Sequence, residues 1–217
     1  VFKIKKKKDG TVERFKARWV ARGFSQRKGV DYNEIFSPVI RYSSVRLLAS
    51  LANANDLDLY GFDVSNAFAR ADMDHNVFVQ MPTGYQKFTE DDKKERLVCR
   101  LNKALYGTKQ AARLWHHTFI KFMLEDGWCQ LESDTCIFIR HTPQHGIEFV
   151  GLYVDDIIYA TSSKKNFDKL FARCNKYFPT TSQGELSWIL GMEIKRNRKS
   201  RTLALDNTRA IITFLES

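Results

Sequence analysis

The chain has 217 residues, 43% of them hydrophobic and 13% aromatic, with only four prolines. That composition excludes a disordered tail and provides for one sizeable core. No stretch approaches the ~20 apolar residues of a membrane helix, and the charged first residues do not read as a signal peptide. The cysteines, Cys99, Cys129, Cys136 and Cys174, form no CxxC pair and have no histidine at zinc spacing. They read as core thiols in a reducing intracellular compartment. Net charge is +10, and between Val1 and Lys28 eleven Lys or Arg face only Asp9 and Glu13. A second basic run covers 195–201. Such charge suits a solvated surface or a polyanionic partner, and does not choose between them.

In chain order, the alternation of Phe15, Trp19 and Val20 predicts a strand over 15–24, between turns at Asp9-Gly10 and Gly23. Ser43 is placed to cap a helix through Val45, Leu47, Leu48 and Leu51. A short strand from Leu57 to Phe62 delivers Asp63. Val77 to Met81 forms another before Pro82, and the polar stretch Lys87 to Arg96 reads as a loop. Apolar residues at 111, 115, 119, 122 and 123 predict a helix over 109–126, ended by Gly127. Strands over 135–140 and 147–153 follow. Ile157 to Ala160 returns as the second arm of a hairpin with Asp155-Asp156 at its tip. A helix over 165–178 stops before Pro179. Residues 186–194 are strand-like, and the basic run turns into 202–205. The order predicts an α+β fold, a largely antiparallel sheet with helices on one face. Val1 is not an initiator Met and Thr213 to Ser217 stop within a helical pattern, which points to a piece of a longer polyprotein.

The chemistry centres on Phe149 to Ala160, where two carboxylates interrupt runs that would otherwise be buried. Charges in such surroundings cost several kcal/mol unless paired. A divalent cation offsets that cost, and oxygen-only ligands select a hard ion such as Mg²⁺. Taken alone, an Asp-Asp pair is ordinarily a solvated turn. Asp63, however, ends a second apolar strand, and acids from two strand ends can converge on two metals ~3.5–4 Å apart, as in-line phosphoryl transfer requires. Strand neighbours point to opposite faces, so Asp155 and Asp156 are not equivalent. Asp63 and Asp155 are assigned to the metals that bridge to a triphosphate, with Asp156 as the outer partner.

Tyr153-Val154-Asp155-Asp156 resembles the YxDD box of reverse transcriptases, and Asp63-Val64-Ser65-Asn66-Ala67-Phe68 resembles that family's other aspartate motif. Leu105-Tyr106-Gly107-Thr108-Lys109-Gln110-Ala111-Ala112-Arg113-Leu114-Trp115 is close to the LYGLKQAPRAW signature of copia-type LTR retrotransposons. Lys16 to Gln26 is similar to their KARLVAKGFTQ, Phe36-Ser37-Pro38-Val39 to their FSPV, and Leu190-Gly191-Met192-Glu193-Ile194 to their LGIEI. The motifs occur in family order over nearly the whole chain. Thr108 and Ala112 depart from the signature without removing a ligand or a charge.

This resemblance implies an RNA-directed and DNA-directed DNA polymerase using two Mg²⁺ ions, with Mn²⁺ as an alternative. Fingers would span about 1–38 and 71–113, and palm about 39–70 and 114–195. The thumb would start at 196–217 and be largely missing. Phe68 would be a steric gate against a ribose 2′-OH. Lys16 and Arg18 would clamp the dNTP, with Tyr106, Gly107 and Gln110 shaping its floor. Tyr153 and Val154 would touch template and primer, with Leu190, Gly191 and Met192 as the primer grip. The implied partners are an RNA template, a DNA primer or RNA–DNA hybrid, dNTPs and a priming tRNA, with RNase H and integrase in the same polyprotein and no membrane. The implied setting is a cytoplasmic virus-like particle, with a nuclear step at integration. Packing alone would equally explain Phe68, Leu190 and Met192. His116-His117 lacks a third zinc ligand, and Trp115 and Trp188 read as core. The competing reading is a non-catalytic nucleic-acid-binding remnant.

Overall fold

The computed structural model describes residues 1–6, 11–82 and 98–216. The expected turn at Asp9-Gly10 and the loop over 87–96 lie outside them. In chain order the elements are β1 (Phe2–Lys6), β2 (Val12–Ala17), α1 (Tyr42–Ala54), β3 (Asp58–Val64), β4 (Phe78–Gln80), β5 (Val98–Arg100), α2 (Ala111–Glu125), β6 (Cys129–Gln130), β7 (Ile137–Thr142), β8 (Gly146–Tyr153), β9 (Asp156–Thr161), α3 (Lys164–Tyr177), β10 (Thr180–Glu185), β11 (Trp188–Ile189), β12 (Met192–Asn197), β13 (Thr202–Asp206) and α4 (Thr208–Leu215). They form two compact units. Unit 1 comprises residues 1–37 and 68–118, and unit 2 residues 38–67 and 119–217.

Unit 2 is built on a six-stranded sheet in the order β10-β3-β9-β8-β7-β6, with every neighbouring pair antiparallel. On one face Tyr60 stacks on Phe167 of α3 at 4.6 Å, and Phe62 meets Phe171 edge-on at 5.9 Å. Phe138 on the same face meets Phe119 of α2. On the opposite face, Ile137, Gly151, Ile158 and Gly61 are successive register partners. There a Cβ on Gly151 would stand 2.9 Å from Ile40 and 3.6 Å from Leu48 of α1. Helices therefore cover both faces, and the expectation of one covered face is corrected. The reason lies in β3 and β9, where Leu59–Phe62 and Ile157–Ala160 are buried at every position. Continuous apolar runs, unlike alternating ones, need cover on both sides.

Helix α1 corrects a second expectation. Its N-cap is Arg41, and no side chain of its own segment caps it. The buried carboxylate of Asp134 instead accepts from the Arg41 amide at 3.1 Å and the Ser44 hydroxyl at 2.6 Å. A residue 93 positions away does what Ser43 was expected to do. The predicted strand over 15–24 is also shorter, ending at Ala17. Backbone bonds between Val1 and Arg18 follow it. Residues 186–194 form a hairpin rather than one strand. Leu190 and Gly191 make its turn at φ 47° and 81°, the positive values that two-residue hairpin loops favour.

The second basic run is largely committed within the chain. Arg196 donates to the Leu57 carbonyl and to Asp56, and Arg198 to Asp56 and Asp58. Lys195 pairs with Asp206.

Glu148 on β8 is fully buried. It accepts from Thr161 at 2.6 Å, Tyr159 and Asn166 at 2.9 Å, and Arg140 at 3.1 Å. Burial, the largest influence, pushes its carboxyl up, but these hydrogen bonds together hold it below the ordinary carboxylate range. A depressed folded-state value means stability that is complete above the unfolded-state value and lost as pH falls through the folded one. Glu148→Gln is therefore expected to cost about 2 kcal/mol at neutral pH and to flatten the acid limb of a urea-midpoint titration below about pH 4.5. An unchanged acid limb would contradict this.

Candidate active site

In unit 2 the β8–β9 hairpin turns in two residues, Val154 and Asp155, between the last register pair, Tyr153 and Asp156. Asp63 lies directly across the ladder from Asp156, and the Val64 amide donates to the Asp155 carbonyl at 2.9 Å. Residues so opposed have Cα atoms about 5 Å apart. Asp63 and the consecutive Asp155-Asp156 pair, distant in sequence, thus come together at one end of two adjacent strands. Asp156, expected as the outer partner, is the one facing Asp63, while Asp155 occupies the turn.

The electrostatics follow from the crowding. Burial, then the charges of Asp155 and Asp63, hold the Asp156 carboxyl above the usual carboxylate range, against a 3.3 Å hydrogen bond donated by Gln183. Among the described residues, no three His, Cys, Asp or Glu side chains stand in a metal-holding arrangement. The donor chemistry nonetheless fits a hard divalent ion, because the ligands are all oxygens and their mutual repulsion is what such an ion relieves.

Val154 has φ 57°, a conformation costly for any L-residue and more so for a β-branched one. Strain held at the tip of a carboxylate hairpin marks a position where geometry outranks stability. Val154→Gly is expected to raise the unfolding free energy by about 0.5–1 kcal/mol, the strain relieved less the entropy lost. Equilibrium denaturation measures it, and a loss of stability would refute the strain.

Unit 1 gathers several of the residues expected at the nucleotide. Phe68 and Tyr106 are in ring contact at 4.6 Å, and the Arg18 guanidinium lies 5.7 Å from the Tyr106 ring centre. Phe68 is partly buried against Ala71, Ala104, Ala111 and Leu114. Lys16 stands opposite Lys3 in the β1–β2 ladder. Gly107 has φ 91°, and a Cβ there would fall 2.1 Å from the Ala21 carbonyl oxygen. One on Gly23 would fall 2.0 Å from the Gly107 carbonyl oxygen. Two glycines thus let the 20–23 and 105–107 backbones touch, joined by the Ala21 amide to the Tyr106 carbonyl. Gln110 is wholly buried. It accepts from Gln26 at 3.1 Å and donates to the Asp31 carbonyl at 2.8 Å. It ties the segments around Gln26 and Asp31 together.

Leu190 and Gly191 form a hairpin turn, while Met192 is buried. His116 is buried and His117 exposed, and Trp115 is core. Trp188 is 38% exposed beneath Arg209, so it is not the core residue it was expected to be. Sequence reasoning read Gly23 only as a turn, and passed over Asp134 and Glu148. The close approach of Gly23 to Gly107 had no local signal.

Residues 1–213 match the family described as reverse transcriptase (RNA-dependent DNA polymerase), and the chain belongs to that family. Its relatives include the retrovirus-related Pol polyprotein from transposon TNT 1-94 of Nicotiana tabacum, 38% identical over 100% of this chain and 16% of that protein. The Pol polyprotein from transposon RE1 of Arabidopsis thaliana is 34% identical over 90% of this chain and 13% of its own length. The Ty1-LR2 Gag-Pol polyprotein of Saccharomyces cerevisiae is 28% identical over 96% and 12%. The chain thus spans less than a fifth of these relatives. Among solved structures, apo telomerase from Candida Tropicalis aligns with a TM-score of 0.40 and 14% identity, over 78% of this chain and 41% of that one.

Proposed function

We propose that this chain is the catalytic part of an RNA-directed and DNA-directed DNA polymerase that copies retrotransposon RNA into cDNA. The observation that carries the reading is the placement of Asp63 opposite Asp156 beside the Asp155 turn. Asp63, Asp155 and Asp156 would hold two Mg²⁺ ions. When bound, such ions stabilise the entering and leaving oxygens as a 3′-OH displaces pyrophosphate from a dNTP. Unit 1 corresponds to fingers and unit 2 to palm. The start of the thumb is read at about residues 196–217. Arg18 and Lys16 serve the triphosphate, Arg by paired hydrogen bonds. Phe68, braced by Tyr106, serves as the sugar gate. Template and primer are held through backbone and shape, so that any sequence is copied. A priming tRNA, RNase H and integrase, and a cytoplasmic particle complete the proposed setting.

The test is primer extension on poly(rA)/oligo(dT) with Mg²⁺, using the chain extended through its thumb. Absence of extension would favour a nucleic-acid-binding relic. Binding of hybrid does not separate the two. For the gate, Phe68→Ala is expected to relax discrimination against ribonucleotides about 100-fold, the scale on which a pocket senses one hydroxyl. An unchanged ratio of kcat/KM for dNTP and rNTP would remove the gate role.

A further inference from the structure

Gln183 is the extra residue of a β-bulge in β10. Ser182 opposes Phe62 and Gly184 opposes Gly61, which leaves Gln183 outside the register with β3. Gly184 makes the kink at φ 70°, and its amide donates to the Ser182 hydroxyl at 3.2 Å. Bulges beside active sites commonly re-aim one side chain. Here the side chain is aimed across the sheet. Strand β3 lies between β10 and β9, yet Gln183 Nε2 donates to Oδ1 of Asp156 on β9 at 3.3 Å. Two strand spacings, roughly 10 Å, are thus bridged by one long amide and one carboxylate.

The bridge needs bare backbone beneath it, and Gly61 supplies that. A Cβ on Gly61 would stand 2.9 Å from Gln183 Oε1 and 2.4 Å from Leu186 Cδ2. Gly61 and Asp63 are two residues apart on β3 and share a face, the one on which Asp156 opposes Asp63. A bulge and a glycine inside a strand each weaken a sheet. Gln183 is exposed, and a surface amide that only met water would need neither device.

We infer that Gln183 is a positioning residue for the carboxylate site. By holding one oxygen of Asp156 it fixes the rotation of that carboxylate, so that Asp156 and Asp63 meet a divalent cation already arranged. The inference rests on the proposed metal-binding reading of Asp63, Asp155 and Asp156. Repelling carboxylates would otherwise turn away from one another, and the cation would have to gather them. Partners that touch a ligand and not the ion carry about 10- to 100-fold in metal affinity.

The test is Mn²⁺ binding to the whole chain, read from the electron paramagnetic resonance signal of the free ion, without nucleotide or nucleic acid. Gln183→Leu keeps the bulk and removes the donor, and is expected to weaken binding about 10-fold. Gln183→Asn keeps the amide but is a methylene too short to cross Gly61, and should lose as much. Added to Asp156→Asn, Gln183→Leu should cost nothing further, because the two side chains act through one bond. The melting temperature in chelator should not move, whereas a merely structural role would shift it and spare the affinity. Wild-type affinity in Gln183→Leu, or the same loss on the Asp156→Asn background, would overturn the inference and leave the metal reading standing. A wild-type chain that binds no Mn²⁺ would overturn both.

Discussion

Asp155→Asn is expected to lower Mg²⁺-dependent primer extension by about three orders of magnitude or more, measured on the thumb-extended chain. A ligand that stabilises charge developing in the transition state contributes several kcal/mol, and each ~1.4 kcal/mol is tenfold in rate. Asp155 sits in the turn, with its backbone carbonyl fixed by Val64 at 2.9 Å. Asparagine keeps the shape and removes the charge, so the loss would be one of chemistry and not of folding. Asp156→Asn is expected to diverge in stability. Burial and two neighbouring carboxylates disfavour its charged form. A raised folded-state carboxyl costs stability once ionised, so neutralising it should stabilise the metal-free protein by about 1 kcal/mol. Added Mg²⁺ should then raise the melting temperature of wild type more than that of this variant. Extension surviving Asp155→Asn would end the catalytic reading.

Gly107→Ala is expected to cost about 4 kcal/mol, among the largest effects a single methyl can have. The position has φ 91°, and the added carbon would meet the Ala21 carbonyl oxygen at 2.1 Å and Val20 Cγ1 at 2.7 Å. The near obstacle is backbone already bonded to Tyr106, and its counterpart Gly23 is pressed against the same turn. Neither segment can retreat without breaking the other. Gly127→Ala supplies the control. Its φ is 82°, but a Cβ there meets nothing within 4 Å, so only the conformational cost of about 1 kcal/mol remains. Urea titrations followed by tryptophan fluorescence would compare the two, and equal losses would show that close approach is not what Gly107 provides.

Elements that carry their own hydrophobic signal were legible in the sequence. The hairpin around Asp155, the strand ending at Asp63 and the helices near 111–125 and 164–177 all stand close to where apolar period and terminators put them. Strand β10 was not legible. Its residues, Thr180–Glu185, are polar and mostly exposed, and they become a strand only because β3 offers an open edge. The cap on α1 was equally hidden, since Asp134 reaches it from across the fold. Covering of both sheet faces was readable in principle from the unbroken apolar runs of β3 and β9. Motif identity found Gln110 but gave no sign that it is buried and bonded to Gln26 and Asp31, because those partners lie about 80 residues away. Glu148 gave no hint at all. A lone acid in a strand reads as surface, and the donors that satisfy it come from β7, β9 and α3.

Strands β3 and β9, which carry Asp63 and Asp156, are interior members of their sheet, each paired along both edges. Amides so placed exchange with solvent only when a large part of the structure opens, unlike those of a frayed rim. These two carboxylates are therefore anchored to a rigid part of the unit. Warming should leave their spacing intact until the unit melts as a whole.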